Sequence, residues 1–322
     1  MIQLINPSNG QLLEKNGDGY IDREGNKFPV VDGVLRMVPQ NNYTASFGFQ
    51  WNKFRKTQID RESRNSTQSR ERFFAETGWE HEDLSGKNIL EVGSGAGRFS
   101  QIVLEHTKGN LYSVDYSDAV TANYKNNGHH GERFHLFQAS VYEMPFPDNS
   151  FDKVFCFGVL QHTPDFKKSV KCLIDKARRG GEVVVDFYPV KGWWTKIQAK
   201  YIFRPITKRM SHETLLRHIE NNSGWMTRAY FLNEKMGIGK LVNRFVPIVD
   251  IKGTLPHKLT REELKEWVVL DTFDMFSPQY DNPKRISTVK KWFEEFGMNV
   301  TFADYVIYDN GFSAATVKGI KQ

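Results

Sequence analysis

Cysteine is nearly missing: the chain of 322 residues holds two, Cys156 and Cys172. Two thiols cannot build a disulfide framework or a zinc ribbon, and such sparing use fits a reducing cytosol. Long apolar runs are missing too. None reaches the ~18 residues of a membrane-spanning helix, and no basic-then-apolar stretch at the N-terminus reads as a signal peptide. The expectation is a cytoplasmic protein with no stable membrane insertion. Internal repeats and low-complexity tracts are absent as well. Acidic residues run short in one region only. From Tyr188 to Phe245 eleven Lys and Arg face three acids, Glu213, Glu220 and Glu234, so the segment carries +8 while the whole chain carries +6. The basicity therefore belongs to one region, where it either meets an acidic ligand or forms a solvated face.

What is present suits a large globular chain: 39% hydrophobic, 13% aromatic and 25% charged residues. Residues 1–40 are turn-rich, with hairpin signals at Asn16-Gly17-Asp18-Gly19 and Arg23-Glu24-Gly25-Asn26, and read as a small β element. Residues 41–86 carry aromatics among charges and read as a helical cap. From Lys87 onward strands alternate with helices: strands at 88–92, 110–115, 133–138, 152–157 and 182–187, helices at 98–106, 119–126 and 166–178. That alternation implies βαβ units and a doubly wound parallel sheet. A last helix spans 289–296, with Ser287 and Thr288 marking its start and Gly297 its end. Two final strands flank the turn Asp309-Asn310-Gly311. The core is thus 87–187 with 287–322, interrupted by a helical insertion at 188–286. Within the insertion Trp193, Trp194, Ile197 and Tyr201 have helical spacing, with Lys196, Lys200 and Arg204 alongside. Such a basic amphipathic stretch either lies on a membrane surface or packs on a core with its lysines snorkelled, and the packed arrangement is the expectation.

The segment Ile89-Leu90-Glu91-Val92-Gly93-Ser94-Gly95-Ala96-Gly97-Arg98-Phe99 carries the chemistry. Gly93, Gly95 and Gly97 follow a buried strand and open a helix, so the backbone can turn tightly and approach a ligand. A dinucleotide loop needs glycine where Arg98 stands. Glu91 repels a pyrophosphate but suits a ligand with an ammonium group. Asp115, 24 residues after Glu91 at the end of the second strand, can hold both hydroxyls of a ribose. Together these features favour S-adenosylmethionine over NAD.

With Val114-Asp115-Tyr116-Ser117, this loop resembles the class I S-adenosylmethionine-dependent methyltransferases. Tyr142-Glu143-Met144-Pro145-Phe146-Pro147-Asp148-Asn149-Ser150-Phe151-Asp152 and Gly158-Val159-Leu160-Gln161-His162-Thr163-Pro164-Asp165 are similar to signatures of the subfamily holding UbiE-like and type 11 methyltransferases. The resemblance implies a Rossmann-like sheet of seven strands, the last one antiparallel. It implies that Gly93, Ser94 and Gly95 line methionine and ribose, that Tyr116 packs on adenine, and that Phe157, Gly158 and Val159 border the sulfonium. Ser140 stands where the family usually has an aspartate reaching the adenine amino group, with the Val141 N–H as a substitute donor. Phe28-Pro29-Val30-Val31-Asp32-Gly33 resembles the end of a zinc-ribbon-like module whose cysteines are missing, so no metal is expected. Tyr43, Gln50 and Trp51 lie in a stretch similar to a segment that folds over the cofactor.

His162, at the mouth of the expected site, is the candidate general base, with Asp186 and Tyr188 at the end of strand five as further catalytic candidates. The insertion is expected to be a substrate lid over a small, acidic acceptor such as a sugar, glycan or carboxylated metabolite, methylated on oxygen. The alternatives are an RNA or protein methyltransferase using the basic segment and a non-catalytic cofactor-binding scaffold. DNA is not an expected partner, and the lack of a recognisable RNA-binding module argues against RNA.

Overall fold

The computed structural model describes residues 2–38, 42–62, 67–190, 192–257, 259–308 and 312–322. The expected turn at Asp309-Asn310-Gly311 lies outside them. Its strands are β1 (Glu14–Asn16), β2 (Gly19–Ile21), β3 (Lys27–Val31), β4 (Val34–Arg36), β5 (Asn88–Val92), β6 (Asn110–Asp115), β7 (Phe134–Gln138), β8 (Phe151–Cys156), β9 (Ala177–Phe187), β10 (Met298–Ile307) and β11 (Ser313–Lys321). They form one mixed sheet in the order β1-β2-β3-β4-β7-β6-β5-β8-β9-β11-β10. The expected seven strands are therefore eleven among the described residues. The four extra ones are the N-terminal hairpins, joined to the core where β4 runs parallel to β7 with Leu35 opposite Phe137. Because they continue the main sheet, the likeness to a separate zinc-ribbon-like module gains no support. β11 is antiparallel to both neighbours.

Burial explains the core strands. Ile89, Leu90 and Val92 of β5 are all buried, as a parallel strand covered on both faces requires. β9 starts five residues before the expected Glu182. Ala177 already pairs with Phe151, and the pairing resumes at Glu182 opposite Lys153, so Arg178-Arg179-Gly180-Gly181 bulges out between.

Helices cover the sheet: α1 (Ala45–Lys53), α2 (Gln68–Thr77), α3 (Arg98–His106), α4 (Val120–Asn127) and α5 (Phe166–Lys176), then α6 (Ala199–Thr207), α7 (His212–Lys235), the single turns α8 (Gly239–Val242) and α9 (Ile251–Thr254), α10 (Arg261–Phe276) and α11 (Ile286–Glu295). α5 is capped by Asp165, which accepts from the Lys168 N–H, and α10 by a reciprocal Thr260–Glu263 box. α11 begins at Ile286, ahead of the expected Ser287-Thr288 signal, and no side chain caps it.

The helices α6–α10 build cores of their own. Leu215, Leu216 and Ile219 of α7 pack on Leu270, Phe273 and Phe276 of α10, with Phe54 just after α1. Met226 and Tyr230 pack on Ile248, Val249 and Trp267. α1 thus joins the core to the helices above the carboxyl ends of β5, β6 and β8. No described helix is long and apolar enough to cross a membrane.

Candidate active site

The chain turns sharply where β5 ends. Gly93 has φ +82, and a Cβ there would lie 2.2 Å from the Val159 side chain, so only glycine fits. Gly97, φ +84, sits one residue ahead of α3, and a Cβ would meet the Asn123 carboxamide oxygen at 2.1 Å. Gly97 therefore serves the packing of α3 on α4 and is not part of the cavity wall, whereas Gly93, Ser94 and Gly95 are. The Trp51 ring covers Gly95, with its Nε1 3.2 Å from where a Cβ would stand.

Asp115 faces this loop across the end of β6. Its carboxylate accepts the Gly95 N–H at 2.8 Å, the Ser117 N–H at 2.8 Å and the Ser117 hydroxyl at 2.6 Å. Burial pushes its pKa up against these donors. Ser94 Oγ is buried without a hydrogen-bond partner. A glycine cradle, an oriented carboxylate and an orphaned hydroxyl fit a ligand that carries hydroxyls and an ammonium group, which is the chemistry of S-adenosylmethionine.

Tyr116, Val141, Phe157, Gly158 and Val159 line the same cavity. Tyr116 is packed by the Tyr43 ring at 5.2 Å, and Tyr43, Gln50 and Trp51 all border the space. Two expected residues sit elsewhere. Ser140 is outside the lining, and its hydroxyl accepts the Tyr142 N–H at 3.2 Å. Glu91 is also outside it. Its carboxyl accepts the hydroxyls of Ser113, at 2.5 Å, and Ser100, in the layer between β5, β6 and α3. Burial raises its pKa to about 7, so near neutrality it is a shared-proton strut more than a free anion.

Beyond β8, a 3-10 turn at Leu160–His162 turns His162 into the cavity. Its Nδ1 lies 2.9 Å from the Tyr280 carbonyl oxygen, which only accepts, so Nδ1 carries the proton. Nε2 is left buried with a free lone pair. Burial holds the imidazole below its ordinary pKa, hence neutral. Phe47 at 5.2 Å and Tyr188 at 5.5 Å wall the ring.

The other two catalytic candidates are tied up. Tyr188 donates to Asp274 at 3.3 Å, and burial near Asp274 and Asp281 drives its pKa well above a phenol's usual value. It is a donor, not a base. Asp186 is paired to Arg72 and accepts the Gly158 N–H, so its carboxylate is already engaged.

Several cavity residues escape the sequence reading. Arg72 bridges Asp186 and Glu76, and the Tyr308 hydroxyl donates to Glu76 at 2.6 Å. Burial beside Asp186 raises Glu76 to about 8. Asp271, raised to about 7 by burial and by Asp274, lines the wall from α10. Two acids three apart in the otherwise apolar run Val268–Phe276 were the available signal. Arg72 had none, lying in a helix rich in charge. The whole cavity measures about 910 Å³ and runs from the glycine loop to the α7–α9 region. Among the described basic residues of 188–245, only Lys200, Lys240 and Arg244 line it, and Asp186, Asp271, Asp274, Glu234 and Asp250 line it too. The basic segment does not make a uniformly cationic pocket.

The methyltransferase domain family matches residues 90–185. A tRNA U34 carboxymethyltransferase of Nautilia profundicola is 26% identical over 162 residues, covering 50% of this chain and 52% of that protein. The ubiquinone/menaquinone biosynthesis C-methyltransferase UbiE of Vibrio cholerae is 29% identical over 133 residues, 38% of this chain and 50% of that one. The chain thus spans about half the length of these relatives. Among solved structures, magnesium protoporphyrin IX methyltransferase of Synechocystis PCC 6803 aligns over 87% of this chain and 94% of its own with a TM-score of 0.47 at 11% identity. Residues 90–185 are thus the part of the chain that matches a methyltransferase domain.

Proposed function

We propose that the protein transfers a methyl group from S-adenosylmethionine to an oxygen of a small acceptor held between the glycine loop and the helical insertion. The observation that carries this reading is the orphaned Nε2 of His162, a neutral lone pair buried in the cavity wall. S-adenosylmethionine, when bound, supplies an electrophilic methyl. Asp115 would hold the ribose hydroxyls, Gly93, Ser94 and Gly95 would border methionine and ribose, and Tyr116 would pack on adenine. Phe157, Gly158 and Val159 would border the sulfonium. His162 Nε2 would take the proton from the acceptor hydroxyl, and the imidazolium would keep its Nδ1–H on Tyr280. Tyr188, its hydroxyl proton kept on Asp274, would wall the His162 ring.

In this reading 188–286 is the lid, 41–86 closes the cofactor side through Tyr43, Gln50 and Trp51, and 87–187 with 287–322 is the catalytic core. An acid group on the acceptor would meet Lys240, Arg244 and Lys252 at the outer end of the cavity. The test is transfer of labelled methyl from S-adenosylmethionine into a metabolite extract, with mass spectrometry of the product. An O-methylated small molecule is the expected product. Label found only in RNA would replace the reading with a tRNA acceptor, the alternative that the carboxymethyltransferase relatives favour.

A further inference from the structure

α6 is built inside out. Its two long cations point inward: Lys200 pairs with Asp281 at 2.7 Å, and Arg204, 7% exposed, donates to the Met275 and Pro278 carbonyls. Its apolar side chains point outward, with Ile202 54%, Phe203 42% and Ile206 67% exposed. The preceding turn continues the pattern, since Trp193 is 79% exposed and Trp194 and Ile197 are exposed beside it. A water-facing helix has the opposite arrangement. The expected packing of these aromatics on a core, with lysines snorkelled, is therefore reversed.

The face extends across the chain. Arg244 donates to the carbonyls of Trp194, at 2.7 Å, and Ile197, at 2.9 Å. Those bonds tie the Trp193–Ile197 turn to the segment that carries Leu241, 70% exposed, and Phe245, 47% exposed. Lys240 and Arg244 are at once on this face and in the cavity wall, so the outer end of the cavity reaches it. Exposed cations stand among the apolar groups. Lys196, Lys208, Arg209 and Lys240 form no ion pair among the described residues.

We propose that this face docks the protein on an anionic lipid bilayer. Exposed apolar side chains and tryptophans among unpaired cations match the interface of an acidic membrane. A symmetric contact with a second copy would oppose like charges. An RNA surface would reward the cations and the rings but not Ile202, Ile206 and Leu241. Docking brings the outer end of the cavity to the headgroups, where an amphiphilic acceptor enters without crossing water. The claim concerns the surface alone and stands whether or not His162 is a base.

The experiment is flotation of the full chain with phosphatidylcholine vesicles, with and without phosphatidylglycerol. The chain floats with the anionic vesicles only. Replacing Trp193, Ile202, Ile206 and Leu241 together by Ser lowers partition more than tenfold, while thermal melting is unchanged because all four side chains are solvent-exposed in the free protein. Lys208→Glu with Arg209→Glu lowers partition by about fivefold or more per residue, following the attraction of each cation to an acidic surface. Failure to float with anionic vesicles overturns the proposal, as does equal flotation of the Ser variant. A dimer that the same Ser substitutions dissociate would make a second copy the occupant. Displacement from the vesicles by tRNA at physiological salt would assign the face to RNA.

Discussion

The Nδ1 of His162 sits 2.9 Å from the Tyr280 carbonyl oxygen, and that contact leaves Nε2 as an unprotonated lone pair in the cavity. Replacement by Gln keeps the size of the side chain and removes the basic nitrogen. His162→Gln is expected to lower kcat by about a hundredfold or more, the usual worth of a positioned base. Its Kd for S-adenosylmethionine should stay within about threefold, because the ribose is assigned to Asp115 on another loop and the His162 side chain is assigned to the acceptor. The base acts when neutral, and burial lowers its pKa, so activity should fall on acidification with an inflection below the ordinary 6.5. A profile flat from neutral to acidic pH would remove His162 as the base.

Asp115 is expected to govern binding and not turnover alone. Asp115→Ala removes the acceptor for two ribose hydroxyls and strands the Gly95 N–H, so cofactor affinity should drop more than about tenfold. Titration calorimetry measures it, with S-adenosylhomocysteine as the second ligand. Equal affinity in the variant would place the ribose elsewhere.

The sequence made the core legible because its physics is local. β5, β6 and α3 match their expected bounds, since a buried apolar strand, a glycine turn and an amphipathic helix each announce themselves within ten residues. The bulge at Arg178–Gly181 is hidden, because two arginines and two glycines carried on one strand look like a loop until the partner strand is known. Glu91 shows a similar limit at the site. Its position before the glycines is plain, but which way its carboxyl turns depends on Ser100 and Ser113, nine and 22 residues downstream. Arg72 and Asp186, 114 residues apart, meet only in the fold. The outward face of α6 is hidden from the sequence for the same reason. Its spacing shows two faces, and only the partners Asp281 and Pro278 tell which one is inside.

The Arg72 pairing gives a stability prediction. Glu76 and Asp186 are almost fully buried, so Arg72→Met leaves two carboxyls without their cation and should cost roughly 3–5 kcal/mol by urea unfolding. Adding Asp186→Asn should recover part of that loss, since its charge is gone while Glu76, raised to about 8, keeps its proton near neutrality. Asp186→Asn alone should lower kcat less than tenfold. A larger loss of kcat in a fully stable protein would return Asp186 to the list of bases.

Glu91 gives a pH prediction whose sign follows from its raised pKa. Below 4.5, the ordinary value, the carboxyl is protonated whether the chain is folded or not. As pH rises the unfolded chain ionises first, while the buried group keeps its proton up to about 7. The stability present in acid is therefore lost progressively across that window, by up to about 3 kcal/mol at 1.36 kcal/mol per pKa unit. Glu91→Gln cannot titrate, and the hydroxyls of Ser100 and Ser113 can accept from its amide. The stability difference between the variant and the parent should therefore move in favour of Gln between pH 5 and 7.5 or so, read from urea midpoints in matched buffers. Cofactor affinity in the same variant should change little, because Glu91 lies outside the cavity wall. A pH-independent difference with a large loss of affinity would turn the carboxylate back toward the ligand's ammonium group.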